Sequence, residues 1–221
     1  MMDISYQDRI FNLTDWATIL FFLSFLIIAF NKTAFEVKFV EFMRLGISDK
    51  YTKIYKDSSN MKSSFTISMF IVQLISFSFF ILLLLSKYNY SQKTNYITFI
   101  QIFVFFAVFV LIKYLIEKII AITFNMEGFV EQFNFLKVSY RTYFAVLILP
   151  INLILYYNDY NKNWPYLLVI LILLLFNGIS YLLSLKIYQN IVIGKMSYFI
   201  LYLCTFEIAP YYFIYKWITK N

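Results

Sequence analysis

The chain of 221 residues contains no histidine and a single cysteine, Cys204. Without histidine it lacks the commonest metal ligand and the commonest general base near neutral pH. One cysteine cannot close an internal disulfide, and Cys204 sits inside the last apolar stretch, where it cannot serve as a lipoprotein anchor. Charge is scarce as well. Only 14% of residues are Asp, Glu, Lys or Arg, against roughly a quarter in an ordinary soluble domain, so that class is excluded. No HExxH, paired-aspartate, GxGD, GxSG or Walker pattern is present, and these are the spacings that would hold a metal, a nucleophile or a phosphate. The expectation is a protein that is not an enzyme, with no metal and no cofactor.

What fills the space is hydrophobic: 62% of residues, with 27 Phe and 20 Tyr, at a mean hydropathy of +0.71. The charges that remain fence off long apolar runs. Between Lys62 and Lys87 lie 24 residues without a formal charge, between Lys93 and Lys113 lie 19, between Arg141 and Asp159 lie 17, and between Lys162 and Lys186 lie 23. Trp16 to Asn31 is another clean run, and Lys195 to Lys216 encloses 20 residues broken only by Glu207. About 20 apolar residues cross ~30 Å of hydrocarbon as a helix. The expected fold is therefore all-α: a polytopic membrane protein, a bundle of six transmembrane helices at about 15–30, 63–85, 96–116, 139–157, 164–185 and 196–217, forming one transmembrane domain over 1–221. Amphipathic interfacial helices complete it. Asp3, Asp8 and Asp15 precede the first run with only Arg9 among them. That is not the basic start of a signal peptide, so the run is expected to stay attached.

The connection 31–62 is expected on the cytoplasmic side. Phe35, Phe39, Phe42 and Met43 recur at i, i+4, i+7 and i+8, one face of a helix, with Lys32, Glu36, Lys38, Glu41 and Arg44 around the rest. With this connection inside, 13 Lys and Arg residues fall on the cytoplasmic side and 6 outside. Basic residues gather on the cytoplasmic side of membrane proteins, so both termini are expected in the periplasm. The net charge of +7 then reflects loops that anchor to lipid, not nucleic-acid binding. Phe35, Phe39, Phe42, Arg44, Glu127, Glu131 and Arg141 are the candidates for a cytoplasmic docking surface, although a solvated boundary also accounts for the charged ones.

Glu207 is the sharpest candidate for chemistry. A charged acid near the bilayer centre costs about 2.5–3.5 kcal/mol on insertion scales, so it should face protein or water. Pro210 has no N–H and leaves the Phe206 carbonyl without its helical partner. The pair reads either as a proton or cation site or as a packing acid bonded to another helix. Asn177, Tyr181 and Ser184 recur at i, i+4 and i+7 and share a helix face, suited to interhelical hydrogen bonds or to a substrate path. Gln101 is a further polar candidate for the interior.

The final run carries Leu201, Tyr202, Cys204, Glu207 and Pro210 in the pattern L-Y-x-C-x-x-E-x-x-P. This resembles the C-terminal signature of an uncharacterised Bacteroidetes membrane family, domain of unknown function 4271. The chain is similar to that family in length, first span and charged first loop, and in its Leu149-Pro150 step. The resemblance covers most of the chain, implies a bacterial inner (cytoplasmic) membrane location, and brings no established activity. Together these features lead to the expectation of a non-enzymatic inner-membrane accessory or scaffold subunit of an envelope or protein-export assembly. Its partners would be membrane lipids and other integral membrane proteins. The alternative is a small proton-coupled or cation-linked transporter using Glu207.

Overall fold

A computed structural model describes residues 15–48, 50–55, 63–123, 127–158, 163–187 and 216. Among these residues every regular element is a helix: α1 (Asp15–Ala34), α2 (Glu36–Met43), α3 (Lys50–Ile54), α4 (Ser64–Lys87), α5 (Tyr96–Thr123), α6 (Glu127–Tyr157) and α7 (Trp164–Ile187), with one 3-10 turn at Arg44–Gly46. Four are long and apolar enough to cross a membrane: α1, α4, α5 and the Val130–Tyr157 part of α6. Within α7, Trp164–Leu174 is a shorter apolar run. Six spans are predicted from sequence; the sixth predicted run, 196–217, lies outside the described residues except at Lys216.

Local chemistry sets the helix ends. Ser63 caps α4, its hydroxyl accepting the Thr66 N–H, and Asn95 caps α5, its Oδ1 accepting the N–H groups of Ile97 and Thr98 at 3.0 and 3.3 Å. Each satisfies donors that a helix N-terminus leaves without intrahelical partners. α4 stops where Asn89 adopts a positive φ of 62°. Asparagine tolerates that region better than other non-glycine residues, and the reversal lets the Tyr90 N–H close back onto the Leu85 carbonyl at 2.9 Å, the pattern of a Schellman stop.

α6 is longer than its hydropathy predicts. The sequence reads 125–137 as an interfacial hinge and helix and 139–157 as a separate span. The structure runs one unbroken helix of 31 residues from Glu127 to Tyr157. Phe133, Phe135 and Leu136 are buried, and Lys137 finds an ionic partner inside the protein, so its charge does not end the helix. Pro150 lies within α6 with its ring on an exposed face.

α4 is the central helix. It packs against α1, α5 and α6, while α6 also packs against α5 and α7, and α2 and α3 fold onto α6. Most of α4 is buried, and little of α5 is buried along its most apolar part. The core has two halves. At one end Phe79, fully buried, stacks on Phe21 at 4.2 Å and tilts against Phe99 at 4.6 Å, with Trp16 at 5.8 Å. At the other, Phe42 sits edge-on to Tyr51, Phe65 and Tyr143. Lipid tails are as apolar as these rings, so burial alone does not drive association in a membrane. Ring geometry does contribute, at about 0.5–1.5 kcal/mol per pair beyond area.

Candidate functional site

The polar side chains inside the bundle gather on the seam between α4 and α6. Thr142 donates to Gln73 Oε1 at 2.7 Å. Ser76 donates to the Ala145 carbonyl at 2.7 Å, and Asn152 Nδ2 donates to the Ser76 carbonyl at 2.7 Å. All four side chains are buried. Gln73 and Ser76 are three residues apart, and Thr142, Ala145 and Asn152 follow at three and seven, so both sets recur on single helix faces. A parallel link joins α1 to α4: Ser68 donates to Asn31 Oδ1 at 2.8 Å, and Asn31 Nδ2 returns to the Ile27 carbonyl. The arrangement satisfies neutral donors with neutral acceptors. It contains no group that titrates near neutral pH, so it has no acid or base to offer.

Four seam or core oxygens stand apart. Among the described residues, Asn152 Oδ1, Asn134 Oδ1, Ser78 Oγ and the Tyr156 hydroxyl are buried without a hydrogen-bond partner. A buried polar atom left unpaired costs roughly 1–3 kcal/mol.

The ionisable groups inside the fold lie elsewhere, where α5 meets α6. Lys137 Nζ is 3.3 Å from Glu117 Oε1, with side-chain exposures of 5% and 4%, and the same ammonium lies 4.6 Å from the centre of the Phe133 ring. A buried pair of this kind holds its geometry because either charge alone would be stranded in a medium of low dielectric. From sequence, Lys113 and Glu117 stand at i, i+4 and read either as side chains that snorkel to the cytoplasmic interface or as a pair along one helix. The structure buries Glu117 and places Lys137, twenty residues on in α6, beside it.

Outside the spans, Lys38 is half-buried on α2. It donates to Ser63 Oγ at 3.0 Å and lies over the Tyr55 and Phe65 rings. Burial lowers its pKa. Tyr51 on α3 is buried among the same elements. Desolvation, with a smaller contribution from Tyr55, raises its phenol pKa, and hydrogen bonds to Ser139 and Thr66 oppose that only in part.

The predicted site residues fall in different places. Phe39 and Phe42 are core residues, at 8% and 1% exposure, and Phe35 packs against the same cluster, so these three rings pack against the protein's own α4 and α6, while Met43 stays exposed. Arg44 and Glu127 are exposed, and Glu131 and Arg141 are half-buried. Gln101 is exposed on α5, away from the α4–α6 seam. Asn177, Tyr181 and Ser184 lie on α7. Cys204, Glu207 and Pro210 lie outside the described residues. Gln73, Ser76 and Asn152 were visible in sequence as polar interruptions of apolar runs. Thr142 gave no such signal, because threonine passes unnoticed in a span; Glu117 was visible as a charge at the edge of one, but its partner was not. No group of three or more Cys, Asp or Glu that could hold a metal ion occurs among the described residues.

A family model described as Domain of unknown function (DUF4271) matches residues 17–218. No curated protein and no solved structure matches the chain.

Proposed function

We propose, for a chain that belongs to the DUF4271 family, a non-enzymatic role as an integral accessory or scaffold subunit of a bacterial envelope or protein-export assembly. The observation that carries this reading is the closed α4–α6 seam, in which Gln73–Thr142 and Ser76–Asn152 bond to each other across the interface. Polar groups joined in this way hold helices together instead of lining an open path. In the same fold α5 presents Val104, Phe105, Leu111, Ile112, Leu115 and Ile119 outward, a surface for lipid or for another membrane helix. The proposal includes six spans, residence in the inner membrane of a Bacteroidetes bacterium, and both termini in the periplasm, an orientation supported by the distribution of Lys and Arg. Extraction in mild detergent followed by affinity purification should recover defined integral-membrane partners. A stable, partner-free protein would overturn the proposal.

A second reading, a small proton-coupled or cation-linked transporter using Glu207, has one observation in its favour. The unpartnered Asn152 Oδ1 inside the bundle is an acceptor that a passing donor would satisfy. On this reading Glu207→Gln abolishes transport while expression is unchanged; a mutant that folds and transports normally removes Glu207 from the mechanism.

A further inference from the structure

A cleft of about 260 Å³ opens between α4, α5 and α6. Its walls are Ile67 and Phe70 from α4, Val110, Leu111 and Tyr114 from α5, and Val138 from α6, with Thr66 at one end. The volume lies below the roughly 300–1,000 Å³ of a pocket that encloses a whole small molecule. A single extended hydrocarbon chain fits it.

The chemistry changes at the end of the cleft nearer α2 and α3. Lys118 is exposed and follows Tyr114 at i+4 and Leu111 at i+7, so it continues the cleft-lining face of α5 by one turn. On the opposite wall the Thr66 hydroxyl lies 3.0 Å from Ser63 Oγ, which in turn accepts from Lys38 Nζ. Glu117, beside Lys118 in sequence, is neutralised by Lys137. Glu131 shares the α6 face of Val138 but lies two turns further along, beyond the level of Lys118. The mouth of an apolar cleft is therefore bordered by two ammonium groups and two hydroxyls, a composition complementary to a phosphate ester.

We infer that this cleft binds one anionic glycerophospholipid, with an acyl chain between α4, α5 and α6 and the phosphate at Lys118 and the Lys38–Ser63–Thr66 edge. The inference rests on the bundle being in a membrane and not on the accessory-subunit reading. A neutral, zwitterionic lipid fills the apolar part equally well, so the basic mouth sets the preference.

Native mass spectrometry of the full chain, delipidated and then titrated with dioleoyl phosphatidylglycerol or dioleoyl phosphatidylcholine, tests it. One phosphatidylglycerol should be retained in preference to phosphatidylcholine. Lys118→Gln should weaken phosphatidylglycerol about five-fold, the effect of one basic residue at an anionic surface, and weaken phosphatidylcholine less, because its choline cation already offsets the phosphate charge. Val110→Trp, which fills the cleft, should weaken both. Equal binding of the two lipids by the wild type, or an unchanged phosphatidylglycerol affinity in Lys118→Gln, overturns the site; Lys118 is exposed, so that variant also serves if Val110→Trp fails to fold. A disulfide forming in the membrane between Leu111→Cys and the native Cys204 also overturns it, because the chain's own last apolar run would then occupy the cleft.

Discussion

Glu117 and Lys137 are the pair on which the α5–α6 hairpin turns. Each is buried and each makes the other tolerable. Breaking such a pair by removing one partner costs about 3–5 kcal/mol, whereas an apolar replacement of both is often neutral. Glu117→Gln and Lys137→Met should each lower thermal stability in micelles sharply, and Glu117→Leu combined with Lys137→Met should recover most of the loss. A fully additive double variant would show that the two charges do not depend on each other. Tyr51 gives a pH dependence of definite sign. Its phenol pKa is raised in the folded protein, while the unfolded chain ionises near pH 10. Stability is therefore fully present below pH 10 and falls as pH rises above it, because only the unfolded state readily releases the proton. Unfolding measured from pH 9 to 11.5 should show that fall, and Tyr51→Phe should shallow it. An identical slope in both proteins would remove Tyr51 as the cause. The i, i+4 rule could not reveal the Glu117–Lys137 pair, since it looks along one helix and the true partner comes from the next.

At the level of elements, two contacts decide how helices meet. Gly46 ends the 3-10 turn after α2, and a Cβ placed there would stand 2.8 Å from the Tyr143 hydroxyl of α6. The sequence marks Gly46 as a helix stop; its φ is not positive, and close approach is what requires a glycine. Gly46→Ala should cost about 1–3 kcal/mol through overpacking, and Tyr143→Phe in the same chain should relieve most of it, read as recovery of the melting temperature. The α4–α6 seam gives a smaller effect. Interhelical hydrogen bonds in a membrane protein average about 0.6 kcal/mol with a maximum near 1.7, so Gln73→Leu should destabilise within that range by stranding the Thr142 hydroxyl. Gln73→Leu with Thr142→Val should be milder than Gln73→Leu alone; a double variant worse than the single would mean that Thr142 has another role. The amphipathic face of α2 was legible as periodicity. That it closes on α4 and α6 was not, because an apolar stripe looks the same whether it meets lipid, a partner or its own fold.

On the scale of the whole molecule, α4 is enclosed and α1 and α5 form the outside. A helix bundle in water would not leave Ile97, Ile100, Val104, Phe105, Leu111 and Ile112 on one uncovered helix, since monomeric soluble proteins rarely expose apolar patches beyond a few hundred Å². In hydrocarbon the same surface carries no penalty. The proposed orientation makes a further prediction: alkaline phosphatase fused at Tyr90, in the α4–α5 turn, should be active in the periplasm, and a fusion after Thr123 should be inactive. The reverse pattern would invert the bundle.

Sequence alone determined that this chain is helical, apolar enough to enter a bilayer, poor in the residues that catalysis needs, and similar to one uncharacterised family. Those properties follow from composition and from the lengths of uncharged runs, which any fold of the chain must respect. Tertiary structure decided which polar groups meet: Gln73 with Thr142, Ser76 with Asn152, and Glu117 with Lys137. Partners on different helices lie between 20 and 76 residues apart in these cases, and no local pattern encodes which faces two helices turn toward each other. The same holds for the cleft beside α5, a space that exists only once three helices have been packed.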